Sequence, residues 1–178
     1  MFKFQEKILL QQIKNGNQKA FAYFYDFYQD KIYRFLYFRV SDQNLAQDLT
    51  SEVFIKVLDY IKEGKEIENF QSFIYKIARN LIIDFYRQRE QEELPIDEFV
   101  EENIPEEKDL IEAVNDKFEL EKIQQALAQI PDRYREVIIL RFIEDLPFKE
   151  IAKITDLKED YVRMLSHRGL KMLRDRLK

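Results

Sequence analysis

Apolar residues recur along most of this chain at steps of three and four, the spacing that places them on one face of an α-helix. The first such stripe predicts one continuous helix and consists of Phe21, Phe24, Tyr25, Tyr28, Ile32, Phe35 and Leu36. Further aromatic residues lie outside it, at Tyr23, Phe27, Tyr33, Tyr37 and Phe38. Two interpretations are open: a thick aromatic core between packed helices, or an additional face that binds a partner.

A second stripe follows Ser41 and Asp42, two residues that can cap a helix start. Its members are Leu45, Leu49, Val53, Phe54, Val57, Leu58 and Ile61. Polar residues occupy other faces of this helix, with Asp48, Glu52 and Lys56 at successive steps of four. A surface ion pair between Glu52 and Lys56 would explain their spacing, whereas a functional interpretation makes the acidic face a docking site for a basic partner.

A third stripe begins after the loop at Gly64 and consists of Phe70, Phe73, Ile74, Ile77, Leu81 and Phe85. Basic, acidic and amide side chains are left to the other faces of this helix, at Lys76, Arg79, Asn80, Asp84, Arg87 and Arg89. Aromatic, amide and guanidinium groups mixed on one surface can stack on nucleic-acid bases and pair with phosphates. The pattern alone would also suit any solvated helix.

The C-terminal third of the chain is divided into shorter helices. Pro131 and Asp132 mark one helix start, residues 144–147 form a break, and residues 155–157 form a turn. We therefore predict helices at about 132–143, 147–154 and 158–176. A short helix, a three-residue turn and a longer basic helix make up the helix-turn-helix arrangement.

The last predicted helix has a buried edge and an outward surface. Its buried edge consists of Val162, Leu165, Gly169 and Leu173, and Gly169 would let another helix approach closely. The outward surface carries Asp160, Met164, His167 and Lys171, flanked by Tyr161, Arg163, Arg168 and Arg174. The acids at the helix start, Glu159 and Asp160, can accept hydrogen bonds from cytosine, although the helix dipole is a sufficient reason for their presence. The pattern favours DNA binding.

Composition and local charge support this division of the chain. Only three Gly and four Pro occur among 178 residues, which predicts an all-α fold. The formal net charge is −5, yet almost all of the excess acidity lies in residues 91–119, which also hold two of the prolines. Blocks of like charge with proline are typical of a solvated linker. We therefore predict two helical domains, 1–90 and 120–178, joined by an acidic linker at 91–119.

Several kinds of chemistry are disfavoured. The chain has no cysteine, which excludes disulfides, thiolate zinc sites and cysteine nucleophiles. Its only histidine, His167, has no nearby second His or Ser constellation, and no glycine-rich phosphate loop occurs. We therefore expect no enzyme activity, no metal and no cofactor. No secretion signal is recognisable and no apolar run approaches the roughly 18 residues of a membrane span, so we expect a cytoplasmic protein.

Three segments together resemble the extracytoplasmic-function (ECF) group of bacterial sigma factors. NLAQDLTSEVFIKVL resembles the helix that binds core polymerase, and FIYKIARNLIIDFYRQR resembles the helix that melts and reads the −10 promoter element. The segment LAQIPDRYREVIILRFIEDLPFKEIAKI, followed by VRMLSHRGLKMLR, resembles the region that reads the −35 element. These matches occur in the family's order and cover roughly residues 18–90 and 120–176.

The resemblance implies a dissociable specificity subunit of RNA polymerase, with a helical bundle of sigma region 2 type and a helix-turn-helix of sigma region 4 type. Contact with the polymerase clamp would fall on Asp48, Ser51, Glu52 and Phe54. Strand separation and −10 recognition would fall on Arg79, Asn80, Asp84 and Arg87, and the loop at about 62–69 would grip a flipped base. The −35 contacts would be made by Glu159, Asp160, Tyr161, Arg163, Met164 and Arg168.

The implied partners are core RNA polymerase, through the clamp coiled coil and the flap of its large subunits, and promoter DNA. The DNA would be duplex at −35 and single-stranded at −10, and an anti-sigma factor is left open as a further partner. The chain departs from the family pattern at Asp156, where Gly is usual and positive φ is required, and at Lys158, Tyr161 and Leu165. The −35 sequence preference is therefore not transferable.

Two other classes of function are compatible with the helical pattern. One is a conventional helix-turn-helix regulator whose N-terminal helices dimerise, and the other is a protein-interaction module that sequesters a regulator. The first predicts tight duplex binding without polymerase. The second predicts that charge reversal at Arg163 and Arg168 leaves activity intact.

Overall fold

The fold is described from a computed structural model, which defines residues 2–89 and 117–177. Within these two ranges the regular secondary structure is helical and includes no strand, which confirms the all-α prediction. The chain divides into two compact units, Met1–Asp84 and Phe85–Lys178. Residues 91–116 of the predicted acidic linker lie outside the described residues, so the linker and the domain boundaries stay predictions.

Four helices build the N-terminal part: α1 (Phe2–Lys14), α2 (Gln18–Val40), α3 (Gln43–Lys62) and α4 (Phe70–Arg89). Asn17 caps α2, because its side chain accepts hydrogen bonds from the backbone N–H groups of Lys19 and Ala20 at 3.0 and 3.2 Å. Asp42 caps α3 in the same way, accepting from the N–H of Leu45 at 2.9 Å. Ser41 ends α2 in the left-handed conformation, with φ +56°.

The aromatic stripe of α2 forms the core of the N-terminal unit. The ring of Phe24 lies 4.4 Å from that of Phe70 on α4 and 6.0 Å from that of Phe54 on α3, both in edge-on contact. Burial of Phe24, Tyr28, Ile32, Phe35 and Leu36 confirms the core interpretation for this stripe. Two aromatic residues outside it, Tyr23 and Phe27, are exposed instead.

A buried tyrosine connects α2 to α1. The hydroxyl of Tyr28 donates a hydrogen bond to Oε1 of Glu6 at 3.5 Å. Burial raises the pKa of the Tyr28 hydroxyl well above its ordinary value, and the nearby Glu6 carboxylate raises it further. The hydroxyl therefore stays protonated to a higher pH than the hydroxyl of an exposed tyrosine.

The C-terminal unit contains α5 (Lys117–Ala128), α6 (Asp132–Ile138), α7 (Phe148–Thr155) and α8 (Glu159–Leu177). The helix predicted at 132–143 is α-helical only to Ile138 and continues as a π-helical turn over Ile139–Ile143. That turn ends where the N–H of Glu144 donates to the carbonyl of Ile139 at 3.0 Å. The helices predicted at 147–154 and 158–176 correspond to α7 and α8 within one residue at each end.

The connection between α7 and α8 has the geometry of a helix-turn-helix. Asp156 ends α7 with φ +59°, which confirms that the position usually held by glycine adopts the left-handed conformation here. Its N–H donates to the carbonyl of Ala152, satisfying one end of the helix. The predicted buried edge of α8, Val162, Leu165, Gly169 and Leu173, is buried throughout.

Gly169 is the point of closest approach between α8 and α6. A Cβ at this position would lie 2.8 Å from Cδ1 and 3.1 Å from Cγ1 of Ile138, and 3.1 Å from Cβ of Tyr134. These distances are shorter than the roughly 3.5–4.0 Å of normal carbon contacts. The predicted close approach of another helix is confirmed, and its partner is α6.

Candidate protein and nucleic-acid interfaces

The outward face of α3 carries three of the four residues expected to contact polymerase. Asp48, Ser51 and Glu52 are exposed and lie at helical spacing on one face. Nζ of Lys56 lies 3.6 Å from Oε1 of Glu52, and both side chains are about half exposed. The ion-pair interpretation is thus confirmed, but an exposed pair of this kind contributes at most about 1 kcal/mol to stability and leaves Glu52 accessible.

Phe54, the fourth residue expected to contact polymerase, lies in the core, as its place in the apolar stripe of α3 predicts. It is only 3% exposed, and its ring lies 4.6 Å from that of Tyr25 and 6.0 Å from that of Phe24. Its ring is covered by α2 in this conformation, and its contact with polymerase stays a prediction. Phe54 holds α3 against α2, so its influence on the α3 face is through packing.

Ile55 is an apolar residue of the same face that the motif comparison missed. Its side chain is 60% exposed, and it follows Asp48, Ser51 and Glu52 at steps of seven, four and three. The available signal was its position outside the apolar stripe of α3. We call Asp48, Ser51, Glu52 and Ile55 the α3 face.

The residues expected to act at −10 lie together along α4. Asn80, Asp84 and Arg87 are exposed at steps of four and three, and Arg79 is half-buried beside them. Ile83 adds an exposed apolar side chain to the same stretch. We call these five residues the α4 face, which combines amide, acidic, guanidinium and aliphatic groups.

A cavity of about 400 Å³ lies between α1 and the loop that follows α3. Its lining includes Lys7 and Lys14 from α1, and Gly64, Lys65 and Glu66 from the loop. Gly64 turns the chain with φ +75°, and the ion pair with Glu63 raises the pKa of Lys65. This loop is the one that the sequence predicts to grip a flipped base.

The residues expected to act at −35 line the first half of α8. Asp160 and Arg163 are exposed, and the remaining four, Glu159, Tyr161, Met164 and Arg168, are half-buried. Nη2 of Arg163 donates to Oε1 of Glu159 at 2.6 Å. The two residues that sequence reasoning treated as separate contacts are therefore one ion pair.

An aromatic ring from α7 completes the surroundings of this pair. The guanidinium carbon of Arg163 lies over the ring of Phe148, 4.5 Å from its centre. The guanidinium of Arg141 lies over the same ring at 4.9 Å, and its Nη1 donates to the carbonyl of Leu146 at 3.3 Å. Neither Phe148 nor Arg141 was a candidate from the sequence, because their proximity to Arg163 depends on the turns at 144–147 and 155–157.

Residues 2–89 and 117–177 contain neither a metal-binding cluster nor a membrane-spanning helix. This part of the chain has no group of three or more His, Cys, Asp or Glu side chains that could hold a metal ion. His167 lies half-buried on α8. No helix in the same ranges combines the length and apolar character needed to cross a membrane.

Comparison with known proteins identifies the family. The Sigma-70 region 2 profile matches residues 24–92, and the Sigma-70 region 4 profile matches residues 120–173. The ECF RNA polymerase sigma factor SigW of Bacillus subtilis (strain 168) is 32% identical over 95% of both chains. SigX of the same organism, also an ECF RNA polymerase sigma factor, is 33% identical over 88% of this chain and 83% of its own.

Two solved structures share the fold. CnrH, in complex with the cytosolic domain of CnrY, has a TM-score of 0.70 at 20% identity over 94% of both chains. The sigma factor RpoE in complex with the anti-sigma factor NepR from Bartonella quintana also has a TM-score of 0.70 at 20% identity. It matches 89% of this chain and 97% of its own. Together with the two family profiles and the similarity to SigW and SigX, this places the chain in the ECF group of RNA polymerase sigma factors, and it functions as a sigma factor in transcription initiation.

Proposed function

We propose that this sigma factor binds core RNA polymerase through the α3 face and recognises promoter DNA through α4 and α8, without catalysing a reaction itself. On each of these helices the apolar stripe lies in the core, while most of the polar residues of the family motifs are exposed or half-exposed. This separation of core and motif residues carries the proposal. It supports an assignment of one partner to each surface.

The α3 face has the chemistry of a protein-docking site. Asp48 and Glu52 supply negative charge, and Ile55 supplies an exposed apolar group that a partner would bury. Burying one such side chain is worth about 1.5–3 kcal/mol, whereas the charged groups mainly favour the correct, basic partner. The expected partner is the clamp coiled coil of the large polymerase subunit.

The α4 face has the chemistry of a single-strand interface. Asn80 can hydrogen-bond base edges, and Arg79 and Arg87 can pair with phosphates or stack on bases. The loop at 62–69 beside the cavity is the expected place for one flipped base, and Lys7 and Lys14 add positive charge there. We therefore assign −10 recognition and strand separation to this region.

The first half of α8 is assigned to duplex DNA at −35. In helix-turn-helix proteins the N-terminal residues of the second helix contact base edges in the major groove. Here those positions are Glu159, Asp160, Tyr161, Arg163 and Met164, with Arg168 one turn farther along. A carboxylate can accept from cytosine, and a guanidinium can donate to guanine or phosphate.

We assign the acidic segment at 91–119 to a regulatory role in transcription initiation. Its charge would suit a tether threaded through a basic channel, and it would repel DNA from the free protein. Replacing its acids by glutamine should then raise the DNA affinity of the free protein, and an unchanged affinity would exclude the repulsion. We also propose an anti-sigma partner, by similarity to RpoE, which was solved in complex with the anti-sigma factor NepR. We propose a cytoplasmic location, because a sigma factor has to meet core polymerase there.

Run-off transcription on a promoter library tests the assignment as a whole. Core polymerase should initiate at specific promoters only when this chain is added. Tight duplex binding without polymerase would instead favour a conventional regulator. Intact activity after charge reversal at Arg163 and Arg168 would favour a protein-interaction module.

The docking assignment has its own test with a matched control. Ile55→Ala combined with Glu52→Ala should weaken binding to core polymerase about tenfold or more, measured by titration of labelled protein. Glu121→Ala, which removes an exposed acid from α5, should have no effect. Equal affinity of the double variant and the control would exclude the α3 face as the docking site.

A further inference from the structure

We infer that Phe148 is a positioning residue for −35 recognition, acting by holding the guanidinium of Arg163 at the start of the recognition helix. This inference rests on the proposed role of α8. Phe148 is the first residue of α7, and Arg163 lies in the second turn of α8, so the contact joins the two helices of the helix-turn-helix. The guanidinium lies over the ring at 4.5 Å, within the range of a cation–π interaction.

Two contacts of different kinds restrain the guanidinium of Arg163, an ion pair and a cation–π contact. Glu159, one turn earlier on α8, accepts from its Nη2 at 2.6 Å, but both side chains are nearly half exposed. Salt and water screen an exposed ion pair of this type, so Glu159 alone fixes the guanidinium weakly. A ring face on a neighbouring helix limits the directions that the guanidinium can take, which reduces the conformational entropy lost on binding DNA.

Arg141, in the π-helical turn over Ile139–Ile143, is a second cation beside the Phe148 ring. Its guanidinium lies 4.9 Å from the centre of the Phe148 ring, and its Nη1 donates to the carbonyl of Leu146 and lies 3.9 Å from Asp145. These contacts hold Arg141 against the break at 144–147 that precedes α7. Phe148 is thus connected to the end of the π-helical turn as well as to α8.

Phe148 is suited to this role because it is not part of the central core. It is half-buried, whereas Ile151 and Ile154 are the fully buried apolar residues of α7. Replacing the ring by an aliphatic side chain should therefore leave the fold intact and remove the cation–π contact. A phenylalanine also has no hydroxyl, so it acts on DNA through Arg163 rather than by a hydrogen bond of its own.

The test compares −35 base preferences in run-off transcription by core polymerase with the full chain. The variants are Phe148→Leu, Phe148→Tyr, Arg163→Ala and the double variant Phe148→Leu with Arg163→Ala. Phe148→Leu should reduce discrimination about threefold or more at the same base pairs that Arg163→Ala affects. Phe148→Tyr keeps the ring and should stay within about twofold of the unmodified protein.

The double variant separates positioning from general stability. In the Arg163→Ala background, Phe148→Leu should cause no further loss, because the group that it positions is already absent. A uniform loss at every −35 position, or an equal loss in both backgrounds, would overturn the inference. An unchanged −35 preference in Arg163→Ala would instead exclude the proposed role of Arg163 itself, and the inference would fall with it. Thermal unfolding of each variant identifies any loss that is due to misfolding.

Discussion

The contact between α6 and α8 makes Gly169→Ala a sharp test of the packing in the C-terminal unit. The added methyl group would lie 2.8 Å from Cδ1 of Ile138 and 3.1 Å from Cβ of Tyr134. Ile138 is 1% exposed, so its side chain is surrounded by protein and cannot simply move aside into solvent. Overpacking of this kind costs about 1–3 kcal/mol.

Helix propensity opposes this overpacking, so the sign of the change in stability is informative. Alanine is a better helix former than glycine by about 1 kcal/mol, so an uncrowded Gly169→Ala would stabilise α8. Subtracting that gain from an overpacking cost of about 2 kcal/mol leaves a net destabilisation of about 1 kcal/mol. Amides of α6 and α8 that exchange through unfolding of the unit should then exchange roughly five times faster.

A second substitution identifies Ile138 as the cause. Ile138→Val removes Cδ1 and alone should cost about 1 kcal/mol. In the double variant with Gly169→Ala, the cost in stability should be about 1 kcal/mol smaller than the sum of the costs of the two single substitutions. The reason is that the new methyl group at position 169 occupies the space that Cδ1 of Ile138 has left. Hydrogen–deuterium exchange on the full chain measures all three variants. Slower exchange in Gly169→Ala, the response of an uncrowded helix, would refute the close contact.

Three further predictions concern the N-terminal part. Ser41→Gly should stabilise the unit by roughly 0.5–1 kcal/mol in urea unfolding, because glycine adopts φ +56° without strain, and Ser41→Ala should give no gain. The raised pKa of Tyr28 adds stability that is complete below about pH 10 and declines above it by up to about 1.4 kcal/mol per pH unit. Tyr28→Phe should therefore show a shallower loss of stability between about pH 9 and 11, and an unchanged slope would contradict the burial effect. Replacing Asn80 and Arg87 by alanine should impair open-complex formation about tenfold more than closed-complex binding, measured by permanganate footprinting and band shift, and equal losses would contradict a melting role.

Most of the described fold could be predicted because its signals are local. The apolar stripes of α2, α3 and α4 follow the helical period, and Pro131, Pro147 and Asp156 mark boundaries that the structure reproduces closely. The positive φ of Asp156 was also predictable, because the position is usually glycine in the resembling family. Helices and boundaries whose signals lie within one stretch of sequence were therefore predicted correctly.

The failures depend on contacts between helices. The burial of Phe54 was predictable from the apolar stripe of α3, but its ring contacts with Tyr25 and Phe24 on α2 were not. The stack of Phe148 with Arg163 could not be read from residues fifteen positions apart without the intervening turn. The π-helical turn over Ile139–Ile143 likewise has no signature in an apolar run that reads as ordinary helix. Sequence motifs predicted which helices carry the candidate surfaces, whereas contacts between helices determine which side chains are exposed on them.

The two-residue connection between α2 and α3 has a consequence for how the protein is made. Only Ser41 and Asp42 separate the two long helices, so their pairing needs almost no loop closure and brings together residues that are near in sequence. The aromatic core is completed by α4, which is also encoded in the first half of the chain. The N-terminal unit can therefore fold on the ribosome before the helix-turn-helix has been synthesised.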